Sequence, residues 1–360
     1  MNRSRAHPER TVRKALSQAM DPRKAAAVAA AGTAAAAAGI GWRRLRDGDR
    51  ATFDSDAYRL LAREPVGTGF KRLLAAQVDD ALAQLRGEAG TEPPDAIHEA
   101  RKDVKKIRSA LRLVREALGD DTWRRENDHY REAAGQLSGF RDAEILVEAT
   151  DALAERFGAT SRERFAGFRR ELDEENRAAH DDGSVERAMA GAAAQLATGR
   201  SRIEALPLGG DGWDLIAPGI QRSYRRGRKR LRAVEEEPGV VNLHELRKRV
   251  KDLWYGLRLI RGADAAMIGR LADHAHDLSD HLGDDHDLAL LRDEVRRRPT
   301  AFADPADRRL LLEQIDQRRG ELQFAAISLG ERIYAEKPKR FTKSLEKRWE
   351  AWRERKPVVA

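Results

Sequence analysis

The chain contains no cysteine, which excludes disulfide bonds, thiolate metal sites and cysteine nucleophiles. Aromatic residues make up only 6% of its 360 positions, and β-branched clusters are scarce, so little in it suits strands. A P-loop, a GxGxxG loop, a nucleophile elbow and a zincin motif are all missing. Long hydrophobic runs are missing too, with one exception at 25–42, AAAVAAAGTAAAAAGIGW. Its length reaches the lower limit for a membrane span, but Ala and Gly barely favour hydrocarbon, and only Val28, Ile40 and Trp42 add real apolarity. A low-complexity helix or tail is the expected reading, with a membrane-tethering or interfacial helix as the alternative. The run lies late and leads into Arg43, Arg44 and Arg46, so a cleaved secretory leader is not expected.

What is present is Ala, Leu, Arg and Glu in abundance, with 36% charged residues and a net charge of +8. These are strong helix formers, and the expected class is all-α. The basic excess suits a polyanion partner, and the lack of cysteine suits a reducing compartment, the cytoplasm. A basic tail, the Ala-rich run and a linker are expected over 1–57. A helical body follows over 58–352, divided by PLGGDG at 207–212 into halves 58–206 and 213–352.

The body is organised around 95–115, which reads as one long helix without internal Gly or Pro, preceded by Pro93-Pro94. At 100° per residue, Arg101, Lys102, Lys105 and Arg112 fall on the side of His98, with Arg108 flanking. Ala100, Val104, Ile107, Leu111, Val114 and Leu118 fall on the other side. One face is built for a core; the other carries a line of cations. An isolated stripe of this kind is usually solvated surface.

The stripe is written twice. Shifted by 146 positions, His98 meets His244, Glu99 meets Glu245, Arg101 meets Arg247, Lys102 meets Lys248, Lys105 meets Lys251 and Arg112 meets Arg258. A second landmark, LSGFRDAEIL at 137–146, aligns with LGDDHDLALL at 282–291, so that Arg141 meets His286. The helix over 213–234 adds Arg222, Arg225 and Lys229, and the helix over 121–137 adds Arg131. Core packing alone requires the apolar positions to repeat, not the exposed cations. A duplicated half-domain with a functional cation face follows.

The pattern of His followed by basic residues at +3, +7, +8, +10 and +14 resembles the CHAD family, the conserved-histidine α-helical domain. The matching residues are His98, Arg101, Lys105, Lys106, Arg108 and Arg112, then His244, Arg247, Lys251 and Arg258. The resemblance implies two pseudo-symmetric antiparallel helical bundles around a basic groove or pore, and binding of inorganic polyphosphate without catalysis or cofactor. Asp252 and Trp254 depart from the pattern, standing where the family's second half usually carries cations, which implies a second lobe that binds more weakly or stacks where others pair charges. The ExExK signature of the triphosphate-tunnel domain fused to some relatives is absent.

Polyphosphate repeats one charge per phosphate and offers no bases. Arg supplies a bidentate fork to its oxygens, and Lys a mobile point charge. The two histidines either touch the ligand or orient their neighbours. Single-stranded nucleic acid is the nearest competing partner, and Tyr224, Trp254 and Tyr255 are its candidate stacking residues. The competing chemistry is a divalent-metal phosphohydrolase site in 273–287, DHAHDLSDHLGDDHD, where His276, Asp280, His281 and Asp284 share one side of a helix. Pairing of those Asp residues with the basic helices is the plainer reading.

Overall fold

In the computed structural model, residues 58–138, 142–178 and 183–355 are described. They form an all-α fold of twelve α-helices with short 3-10 and π turns, and no strand occurs among them. The 25–42 run lies outside the described residues. No described helix is long and apolar enough to cross a membrane.

The first half contains α1 (Val66–Leu85), α2 (Pro93–Leu113), the single turn α3 (Arg115–Leu118), α4 (Asp120–Gln136), α5 (Asp142–Phe157), α6 (Ala159–Ala178) and α7 (Ser184–Arg202). The second contains α8 (Ala217–Glu236), α9 (Val240–Leu259), α10 (Arg270–Arg297), α11 (Pro305–Ile333) and α12 (Pro338–Glu354). The stretch expected as one helix over 95–115 starts earlier, because Pro93 takes the first helical position, where its missing N–H costs nothing. It breaks at Val114 and resumes for one turn before Gly119, whose φ of 75° ends it. Helix α10 is preceded by a π turn over Ala265–Gly269, capped by the Asp264 carboxylate accepting from the Met267 N–H.

Helices pack largely on neighbours in chain order. In the first half α1 packs on α2, α2 on α4, α5 on α6 and α7 on α1. In the second, α8 packs on α9, α9 on α10, α10 on α11 and α12 on α8. The 28-residue α10 packs on both α9 and α11. The second landmark of the repeat lies inside a continuous helix in the second half only.

The apolar cores do not divide along the repeat boundary. The main core joins both halves, from Phe70, Leu74, Val104, Ile107 and Leu111 to Tyr224, Leu246, Val250, Leu278 and Trp349. A satellite core is built from α5, α6 and the far ends of α10 and α11, with Leu153, Phe165, Phe168, Leu291, Val295 and Ile315 inside. At a rise of 1.5 Å per residue α10 runs about 42 Å, long enough to serve both. Ion pairs from Arg156 to Glu321 (2.7 Å) and from Arg298 to Glu171 (3.3 Å) close the satellite's sides.

A basic junction between α2, α8 and α9

The apolar stripe of α2 is buried as its period requires, with Ala96, Ile97, Ala100, Val104, Ile107 and Leu111 inside. Its polar side meets three neighbours: α4, α8 and α9. Where the end of α2 meets α9, Arg112 Nε lies 3.0 Å from Asp252 Oδ1. The other oxygen of the same carboxylate accepts from Arg249 Nη1 at 2.9 Å. Asp252 therefore joins the two helices that carry the repeated motif.

Other guanidinium groups crowd this carboxylate. Arg222 of α8 donates to the Arg112 carbonyl and pairs with Glu116. Burial and the nearby charges of Arg226 and Arg115 push its pKa down to about 10, against the opposing pull of Asp252. Arg108 donates to Asn127 Oδ1 of α4 at 3.2 Å. Its pKa also falls to about 10, from burial and then the charges of Arg112 and Arg131, with Asp252 again opposing. Arg226 is held down by burial, Arg249 and Arg115. Guanidinium groups with depressed pKa values mark an excess of positive charge in a partly dry place.

The histidine of the second motif lies in a similar field. His244 stacks on His286, with ring centroids 4.8 Å apart. Burial lowers its pKa, and Lys248, His286 and Arg247 lower it further, while Glu245 opposes. The folded chain thus resists protonating a residue that the unfolded chain protonates near pH 6.5. Stability should fall as pH drops through that value and below, and H244N should lose less of it over the same range, a comparison that urea melts at pH 7.5 and 5.5 make directly.

The remaining expected residues separate into groups. Lys105, Arg131, Arg225 and Lys229 are exposed, while His98, Arg101, Lys102, Arg247 and Lys251 are half-buried. Arg101 donates to the Leu137 carbonyl at 2.6 Å and so ties α2 to the end of α4. Lys102 pairs with Glu99, and Lys248 with Glu245, each one turn away. Lys106 points away from the cation face: it pairs with Asp103 at 2.7 Å and acts on Asp80 of α1. Arg141 lies outside the described residues. Arg258 stands apart from the others. It is 5% exposed, and its guanidinium lies 5.1 Å from the Tyr58 ring centre and 5.2 Å from that of Trp254. It packs in a buried aromatic cage, because the whole C-terminal part of α9 from Leu253 to Leu259 is enclosed.

The same enclosure explains Trp254, which stacks on His276 of α10 at 4.7 Å. His276 Nδ1 is 3.4 Å from Asp280, Asp284 is buried, and His281 is half-buried. Among the described residues no group of three or more His, Cys, Asp or Glu is placed to hold a metal ion. Asp285 instead binds Arg319 at 3.0 Å and Gln323 at 2.8 Å, fastening α10 to α11. Arg249, Arg226, Arg115 and Asn127 were not among the expected residues. Arg249 stands one turn before Asp252, and Arg226 one turn after Arg222, spacings that would have pointed to them.

The described chain is thus an α-helical protein with a cation-rich junction between its two halves. A protein-family model described as the CHAD domain matches residues 72–296, more than half of the sequence. The chain belongs to the CHAD family. The match spans α2, α9 and all but the last residue of α10. No curated protein matches it.

Proposed function

We propose that this chain binds inorganic polyphosphate, without chemistry of its own, at the junction of α2, α8 and α9. The observation that carries this reading is the gathering of five arginines around Asp252: Arg112 and Arg249 pair with its carboxylate, and its charge reaches Arg108, Arg222 and Arg226. These arginines come from three helices and both halves of the chain, and the pKa values of Arg108, Arg222 and Arg226 are depressed by burial and by neighbouring guanidinium groups, a repulsion that a polyanion would relieve. CHAD membership favours polyphosphate among polyanions.

The aromatic residues favour the same ligand over single-stranded nucleic acid, which stacks its bases on exposed rings. Tyr224, Trp254 and Tyr255 are all buried. Trp123, half-buried near the junction, is covered by the Arg115 guanidinium 4.1 Å above its ring. The metal-dependent alternative draws no support from the placement of His276, Asp280, His281 and Asp284.

Calorimetric titration with long-chain polyphosphate and with single-stranded DNA of equal charge, at several salt concentrations, tests the proposal. Polyphosphate should bind more tightly, and both affinities should fall linearly with the logarithm of salt concentration. Equal affinity for the two, or no binding of polyphosphate, would refute it. Binding should also favour the His244 imidazolium, so affinity should rise as pH falls, the opposite sign to stability.

A further inference from the structure

Among the described residues, Asp252 is the acidic side chain that pairs with these arginines from both α2 and α9. Its two oxygens are committed to different helices, Oδ1 to Arg112 of α2 and Oδ2 to Arg249 of its own α9. Its side chain is 11% exposed. Its charge also reaches Arg108, Arg222 and Arg226. Its carboxylate faces the cations that a phosphate chain would use.

The pairing is strong on one side and incomplete on the other. Arg249 makes an aligned hydrogen bond to Asp252. Arg112 does not: its Nε is buried and has no aligned hydrogen-bond acceptor, although Asp252 Oδ1 is 3.0 Å away. Arg222 Nη1 is likewise buried without an aligned acceptor, although it lies against the Glu116 carboxylate. A tetrahedral phosphate brings three or four acceptor oxygens where a carboxylate brings two, and it can align with both donors.

We propose that Asp252 is an internal competitor for the polyanion. It keeps Arg112 and Arg249 assembled before the ligand arrives, and it gives up Arg112 when a phosphate binds. Asp252 thereby sets the affinity of the site below what its arginines would otherwise reach. The competition is tuned by charge, because a ligand with closely spaced phosphates displaces one carboxylate more readily than an isolated anion does. This inference rests on polyphosphate binding at the junction.

The test compares wild type with D252N, in calorimetric titrations with long-chain polyphosphate over a range of salt and in thermal melts with and without tripolyphosphate. Removal of one competing charge should tighten binding about tenfold near physiological salt and steepen the log–log salt dependence by about one. Without added anion D252N should melt below wild type, since its arginines lose their shared counter-ion. Tripolyphosphate should restore most of that loss, which would not happen if Asp252 were merely a helix-pairing residue. Should D252N fail to fold, D252S carries the same comparison. Folded variants that bind no tighter than wild type, with an unchanged salt dependence, overturn the inference and leave polyphosphate binding intact. Failure of the wild type to bind overturns the functional reading itself.

Discussion

The triple variant K105Q/R108Q/R131Q should bind long-chain polyphosphate roughly a thousandfold more weakly than wild type at low salt, at about 1.4 kcal/mol for each charge-assisted contact removed. The slope of affinity against salt should flatten by about two to three, because fewer counter-ions are released. Lys105 and Arg131 are exposed, on α2 and α4. Arg108 lies near Arg131, and burial together with the charges of Arg112 and Arg131 depresses its pKa. Removing these charges relieves repulsion, which offsets the lost hydrogen bond from Arg108 to Asn127. The variant should therefore melt within a few degrees of wild type. An affinity within threefold of wild type would move the site away from this face of α2.

The choice of residues follows from what each cation already does. Arg101 would head a list made from the motif, but its 2.6 Å bond to the Leu137 carbonyl holds the end of α4 against α2. Replacing it would disturb the very helix that carries Arg131. Arg112 is a counter-ion of Asp252, so its loss would take away one side of the pairing of a half-buried carboxylate. Lys106 faces Asp103 and Asp80 on the other side. A change there tests α1–α2 packing rather than ligand binding.

The α-helical class, the apolar face of α2 and the repeated cation pattern were all legible in the sequence, because each rests on periodicity within one helix. The buried stripe from Ala100 to Leu111 follows from spacing alone. Asp252 shows where such reading stops. On its own helix it is an acid one turn from Arg249, an ordinary surface pair. Its meaning depends on Arg112, 140 positions earlier, and no local pattern states that α2 and α9 touch there. Arg258 shows the converse. It falls in register with Arg112, yet Tyr58 and the aromatic residues of α9 surround it, since the second half buries that part of its helix on every side. The His and Asp run of α10 was ambiguous for a third reason. A helix that serves two cores needs polar residues facing several neighbours, and Asp285 is spent on Arg319 and Gln323.

The junction itself depends on Gly219, and G219A should cost about 3 kcal/mol or more of stability. Gly219 sits in the first turn of α8, against the last turn of α2. A Cβ there would stand 2.7 Å from the Leu113 Cα and closer still to its carbonyl. The obstacle is backbone, not a side chain that can rotate away, so α8 must shift as a body. Arg222, one turn along, reaches the Arg112 carbonyl and Glu116 only because α8 passes this close. Weaker polyphosphate binding should therefore accompany the lost stability. Gly135 supplies the control. It lies exposed in α4 with nothing within 4 Å of an added Cβ, so G135A should stabilise the chain by about 0.5–1 kcal/mol through helix propensity alone. Urea unfolding of both variants decides the matter. A G219A protein within 1 kcal/mol of wild type would mean that α2 and α8 do not cross backbone to backbone, and that the arginines of the two halves are not held together as described.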